Sequence, residues 1–153
     1  MMDGSGVMSR DDVLDFWGDL SAAGGRGFFA FLDGKLVGDA DLRGLRNRTA
    51  EFALMIGDAK HKGRGIGRRL AQMIHVFGFR DLGLERIYVP PRRDNARVHA
   101  LNAFLGYERD ESDAARVFVD SPDCETFSLS AKAFRDRHGR PWREVATTLV
   151  EAA

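Results

Sequence analysis

The sequence predicts an α/β fold of the α+β type, a mixed and mostly antiparallel twisted sheet flanked by helices. Three observations predict it. Apolar residues follow period two in short runs between Phe28 and Ile56, broken by turn residues such as Asp33-Gly34. Apolar residues recur at helical spacing in three other segments, near residues 10–22, 66–82 and 95–106. The length, 153 residues, suits a single domain spanning 1–153 with one core.

Ser9 and Asp12 form a capping pair that opens the first helix, and Val13, Phe16, Trp17 and Leu20 supply its apolar stripe. Ala22 to Gly27 ends it. Phe28 to Leu32, the Asp33-Gly34 turn and Leu36 to Leu42 read as a hairpin. A third strand, Ala50 to Ile56, places Phe52, Leu54 and Ile56 on one face. A glycine-rich loop then feeds a helix reaching about Leu82, with Ile66, Leu70, Met73, Ile74 and Phe77 inward and Gly83 as its stop. Arg86 to Val89 is a short strand halted by Pro90-Pro91. Asp94 or Asn95 caps the next helix, which turns Val98, Leu101 and Leu105 inward and stops at Gly106. Val117 to Val119 and Thr126 to Leu129 read as strands around the Ser121-Pro122-Asp123 turn, and the polar tail from Ala131 as partly helical.

Composition excludes several functions. Lys+Arg and Asp+Glu number 23 each, so the formal net charge is zero, which disfavours a general nucleic-acid binder. Cys124 is the only cysteine, which excludes an internal disulfide framework and a multi-cysteine metal site. As a lone thiol next to a strand it reads as a small core residue. No apolar run reaches the roughly 20 residues of a membrane span, and Met1 to Arg10 lacks the apolar stretch of a secretory signal. These features together read as a cytoplasmic protein that engages no membrane.

Charge is uneven locally. Residues 60–69 hold five Lys/Arg plus His61 and no acid, interleaved with Gly63, Gly65 and Gly67. A glycine-rich turn entering a helix binds phosphate, because the first helical N–H groups lack intrahelical partners and the helix dipole favours an anion there. Spacing removes two familiar versions. A nucleoside-triphosphatase loop needs Lys-Ser/Thr after its last glycine, and Gly67 is followed by Arg68-Arg69. A dinucleotide loop needs Gly-x-Gly-x-x-Gly after the first strand of a βαβ unit, and here the spacing differs and hairpins come first.

Lys62-x-x-Gly65-x-Gly67 resembles the Arg/Gln-x-x-Gly-x-Gly/Ala signature of the GNAT superfamily of acyl-CoA N-acetyltransferases, with lysine in the first place. The stretch Ile56 to Gly67, then Phe79 to Ile87, then Asn95, Leu101, Leu105, Gly106 and Tyr107, is similar to the branch containing ribosomal-protein alanine and spermidine N-acetyltransferases. The resemblance covers roughly residues 28–130. It implies a first strand ahead of the first helix, for which Met1 to Ser9 is too short, so that strand is missing or atypical. It also implies a tyrosine seven residues after the asparagine, where this chain has Asn102.

The resemblance implies acetyl-CoA as donor and direct attack by a primary amine, from a small molecule or a protein N-terminus, in a ternary complex. A non-catalytic acyl-CoA-binding or regulatory module of the same fold is the alternative. A homodimer is compatible with the family. Implied cofactor ligands are Lys62, Gly63, Arg64, Gly65, Ile66, Gly67 and Arg68 at the pyrophosphate, Met55 and Ile56 along the pantetheine arm, and Asn95 from the next helix. A strand N–H facing the thioester carbonyl would stabilise the oxyanion, which is worth roughly 3–4 kcal/mol in other acyl transfers.

An amine with pKa ~10.4 is protonated at neutral pH and needs a base. Glu51 is the candidate, on the strand face opposite Phe52 and Leu54. Asn102, at the place of the family's proton donor, is the second candidate catalytic residue, able to hydrogen-bond but not to act as an acid. Tyr88, Tyr107 or solvent could replace it as acid. His61 and His99 read as surface groups, His75, Trp17 and Trp142 as packing, and Asp39, Asp41 and Asp58 as solvated strand-edge carboxylates.

Overall fold

The computed structural model describes residues 9–57 and 63–148. Helix α1, Arg10–Ala22, opens with a capping box in which the Ser9 hydroxyl accepts from the Asp12 N–H while the Asp12 carboxylate accepts from the Ser9 N–H. Three antiparallel strands follow: β1 (Arg26–Leu32), β2 (Lys35–Arg46) and β3 (Thr49–Ile56). Asp33 and Gly34 both take positive φ, 50° and 76°, which is what a two-residue hairpin turn needs. No strand precedes α1 among the described residues, and β1 is one edge of the sheet.

Helix α2, Ile66–Val76, then runs into a turn of π-helix, Phe77–Asp81. Strand β4 (Arg86–Val89) pairs parallel with β3, and after α3 (Ala96–Leu105) come β5 (Glu108–Arg109), α4 (Asp113–Arg116), β6 (Phe127–Ser130), α5 (Ala131–Arg137) and α6 (Gly139–Glu144). The sheet order is β1-β2-β3-β4-β6-β5. Val117 to Val119 is therefore not a strand. Ser112 caps a helical turn there, and the outer strand is instead the polar pair Glu108–Arg109, held by β6. Cys124 lies outside the strands, in an isolated bridge with Arg92, and is partly exposed, not a core residue.

One sheet face carries Ala40, Leu42, Ala50, Phe52, Ile87 and Leu129, and α2, the π turn, Leu105 and Phe134 close over it. Burying a side chain of this size contributes about 1.5–3 kcal/mol. The buried stripe of α2 is rotated toward Ala71 and His75, which leaves Met73 half exposed rather than inward. In the π turn, a methyl group on Gly78 would meet Leu42, Leu84 and Ile87, each at 3.3 Å. Only a hydrogen atom fits there without displacement.

His75 sits at the centre of this layer with no solvent exposure. Its Nδ1 donates to the Ala71 carbonyl at 2.7 Å, so Nε2 is the acceptor for the Tyr107 hydroxyl at 2.6 Å. Burial pulls its pKa from 6.5 to about 4, against the opposing pull of the Ala71 carbonyl. A folded pKa below the unfolded one means that the unfolded chain takes the proton first. The residue's stabilising contribution is then complete above pH 6.5 and lost as the pH falls toward 4. We expect the thermal midpoint of the wild type to drop across that window more steeply than that of His75→Gln, which keeps an acceptor for Tyr107 and cannot charge. His138, also lowered by burial, acts with the same sign in both proteins and cancels. Parallel curves would refute the assignment.

Candidate functional site

The sheet divides in its middle. Strand β3 is paired with β2 along most of its length, but with β4 only from Thr49 to Glu51. Beyond that point Val89 ends β4, and Pro90-Pro91 follows, the prolines lacking N–H donors. Residues Ala53 to Ile56 therefore keep one backbone edge outside the ladder, facing a wedge between the strands. Such an edge accepts an extended chain as a further strand would. Met55 and Ile56 stand on it, Met55 exposed on one face and Ile56 half-buried on the core face.

The glycine loop lies at the end of β3. Gly63 and Gly65 have φ of 76° and 80°, the left-handed region that other residues enter at a cost. Gly65 is the N-cap of α2, and no side chain caps it. The first helical bond runs from the Arg69 N–H to the Gly65 carbonyl at 3.1 Å, which leaves the N–H groups of Ile66, Gly67 and Arg68 without helical partners. A Cβ built on Gly63 or Gly65 meets nothing within 4 Å among the described residues, which leaves room there for an anion. Gly67 has a different role: a Cβ there lies 3.7 Å from Leu54 and from Ile56, so it seats the helix against β3. Arg68 stacks its guanidinium over the Phe104 ring at 4.8 Å, and Arg64 and Arg69 are exposed nearby in sequence. Lys62, with His61 and Asp58, lies outside the described residues.

Helix α3 contributes two asparagines. Asn95 is its N-cap, the side-chain oxygen accepting from the Val98 N–H at 3.2 Å. Asn102, seven residues on, is 3% exposed, and its Nδ2 is buried without a hydrogen-bond partner. An unmet buried donor costs about 1–3 kcal/mol, so this atom calls for an acceptor. His99 bonds the Arg92 carbonyl and faces Glu125, away from any role as base.

On the sheet face opposite the core, strand register sets Arg43 beside Glu51 and Glu51 beside Tyr88. Asp41 is 4% exposed and grips Arg43 with both oxygens, at 2.6 and 2.7 Å, while the Phe16 ring lies under the guanidinium at 5.4 Å. Asp41 is thus a buried ion-pair partner and not a solvated edge carboxylate. The fork occupies Arg43, and Glu51 makes no hydrogen bond or ion pair among the described residues. Glu51 is half-buried, and desolvation raises its pKa, with Arg43 opposing and Asp41 and Asp120 adding to the rise. Asp39 is raised likewise by desolvation and then by Asp41. Tyr88 stacks on Phe118 at 4.7 Å. Tyr107 is on the other side of the sheet, sealed in the core against His75.

The structure puts Met55 and Ile56 on the unpaired edge of β3, Gly67 of the glycine loop against Leu54 and Ile56, and Glu51 in the paired part of the same strand on the face opposite the core, and it places Asn95 and Asn102 on α3. Sequence reasoning missed the Asp41–Arg43 fork and the shared rung of Glu51 and Tyr88. Hairpin register was the available signal: positions 39, 41 and 43 face 55, 53 and 51 once the Asn47-Arg48 turn between β2 and β3 is fixed.

Residues 5–107 match the model of the acetyltransferase (GNAT) family. No curated protein matches the sequence. Among solved structures, the spermidine N-acetyltransferase from Vibrio cholerae in complex with CoA and spermine is similar, with a TM-score of 0.67, 19% identity, and coverage of 84% of this chain and 79% of that one. Campylobacter jejuni N-acetyltransferase PseH in complex with acetyl coenzyme A has a TM-score of 0.63 at 18% identity, with 78% of each chain covered. At these identities the likeness is one of fold.

Proposed function

The chain belongs to the acetyltransferase (GNAT) family, and from that premise we propose that it moves an acetyl group from acetyl-CoA to a primary amine by direct attack in a ternary complex. One observation supports the reading above the others. An unpaired strand edge, an uncapped glycine-rich helix start seated against it through Gly67, and a desolvated carboxylate without an ion-pair partner among the described residues all belong to or adjoin one strand, β3.

Acetyl-CoA supplies a thioester whose acyl carbon a neutral amine can attack. The open cradle over Gly63 and Gly65, and the free N–H groups behind it, fit a pyrophosphate. We assign Gly63, Arg64, Gly65, Ile66, Gly67 and Arg68 to it, with Lys62. Met55 and Ile56 hold the pantetheine arm through the backbone, and a β3 N–H polarises the thioester carbonyl. Asn95 and the unmet Nδ2 of Asn102 meet the cofactor from α3.

Glu51 takes the proton from the incoming ammonium, directly or through water. Its raised pKa brings it nearer to neutrality, where a base is most effective. Tyr88, beside it on the same face, is the tyrosine available to protonate the leaving thiolate, since Tyr107 is committed to His75. Asp39 and Glu51 favour a cationic acceptor, either a small amine or a protein N-terminus. Residues 1–153 act as one domain. Its one cysteine is free, and among the described residues no helix is long and apolar enough to cross a membrane. We place the enzyme in the cytoplasm.

Thiol release from acetyl-CoA, measured over a panel of polyamines, other small amines and peptides with free N-termini, tests this. Turnover on at least one is expected. Calorimetric binding of acetyl-CoA with no thiol release on any acceptor would replace the enzyme with a binding module.

A further inference from the structure

Arg43 and Glu51 stand directly opposite each other on β2 and β3, yet they do not pair. In an antiparallel ladder such partners have Cβ atoms about 4.5–5.5 Å apart, and opposite charges there ordinarily join. A guanidinium spans that gap easily and suits any carboxylate that it can grip with two parallel bonds. Glu51 nevertheless makes no hydrogen bond or ion pair among the described residues.

Asp41 withholds the guanidinium. It lies two residues before Arg43 on the same face of β2, and its two oxygens accept from Nε and Nη2 at 2.6 and 2.7 Å. The fork fixes the plane of the guanidinium, and the Phe16 ring of α1 lies 5.4 Å from its central carbon. Asp41 is buried, whereas 37% of the Arg43 side chain is exposed, so the carboxylate is the anchored member and the guanidinium the one free to swing. Buried ion pairs contribute little net stability. The place of this one, beside an unpaired carboxylate, is what calls for explanation.

The charged groups that act on Glu51 are Arg43 and Asp41 from β2 and Asp120 from the segment after α4, with Tyr88 beside it on β4. Of these only Arg43 is cationic. With the fork open, it would turn to Glu51, hold that carboxylate ionised and make it a poor acceptor for the proton of an ammonium. We infer, on the reading of Glu51 as the base, that Asp41 is a positioning residue, which holds Arg43 by both oxygens and so keeps Glu51 unpaired for the incoming amine. Asp41 touches no reacting atom. It acts by occupying the side chain that would otherwise neutralise Glu51.

Two readouts test this: the pH profile of kcat/KM, and the titration of the Glu51 carboxyl carbon by NMR, its signal assigned by its absence from Glu51→Gln. In Asp41→Asn one fork oxygen becomes an amide nitrogen that cannot accept, which releases Arg43. Glu51 is then expected to titrate lower than in the wild type, and the acid limb of kcat/KM to move down with it. The kcat should fall by roughly tenfold to a hundredfold, part of what a general base supplies, with the Kd of acetyl-CoA unchanged. Adding Arg43→Met removes the competitor, so titration and kcat should both return close to wild type, whereas a purely structural loss would deepen. The double variant carries the test by itself if the single one does not fold. A Glu51 titration left in place by Asp41→Asn overturns the inference, and so does a double variant whose kcat stays down. Titrations that follow the expected pattern while Glu51→Gln keeps full kcat would uphold the fork and move the base elsewhere.

Discussion

Gly65→Glu is expected to raise the Kd for acetyl-CoA by on the order of a hundredfold, from two effects acting together. At φ 80° an L-residue pays about 1–2 kcal/mol for its Cβ, which favours reshaping the loop. The new carboxylate also enters the open space above the helix start, where an anion would otherwise meet free N–H groups and the positive end of the dipole. Because no described residue lies within 4 Å of the added Cβ, the variant should fold. Calorimetry on a variant with native circular dichroism is the measurement. An unchanged Kd would sink the assignment of the loop.

Glu51→Gln should lower kcat by roughly 10²–10⁴ while leaving the Kd of acetyl-CoA nearly unchanged, as loss of a general base predicts. The pH dependence has a definite sign. A protonated carboxyl cannot accept a proton, so kcat/KM of the wild type falls as the pH drops through the Glu51 pKa. Desolvation places that limb above the usual carboxylate range. The limb should be absent from the glutamine variant's residual rate. Stability moves the other way. A carboxyl whose folded pKa is raised loses stability as the pH rises through that value, so at neutral pH Glu51→Gln should melt no lower than the wild type. A slower enzyme that is no less stable marks a residue kept for chemistry. An acid limb that survives the substitution would move the base elsewhere.

Local chemistry was legible in the sequence wherever a residue acts on its own neighbours. Ser9 and Asp12 close a capping box, Asp33-Gly34 turns a hairpin, Asn95 caps α3, and Gly106 ends it at φ 101°. The glycine loop was legible for the same reason. What could not be read depends on partners distant in sequence. Glu108–Arg109 forms a strand only because β6 lies beside it, while Val117 to Val119, better strand formers, fall in a turn. Met73 fits the apolar period of α2, yet the sheet takes the neighbouring arc through Ala71 and His75. In the site, Glu51 was found from its place on β3. Its freedom from Arg43 was not, because that depends on Asp41 lying on the same face of another strand and taking the guanidinium first.

Gly78 sets a gauge. The sheet is two blades, β1-β2-β3 and β4-β6-β5, hinged on the short run of rungs from Thr49 to Glu51. The π turn lies across that hinge, with Gly78 against Leu42 of one blade and Ile87 of the other. A side chain at this position would press on the side-chain ends of both, which must give by a few tenths of an ångström to admit it. The contact of the two blades on the core side is thus drawn close by the absence of a methyl group.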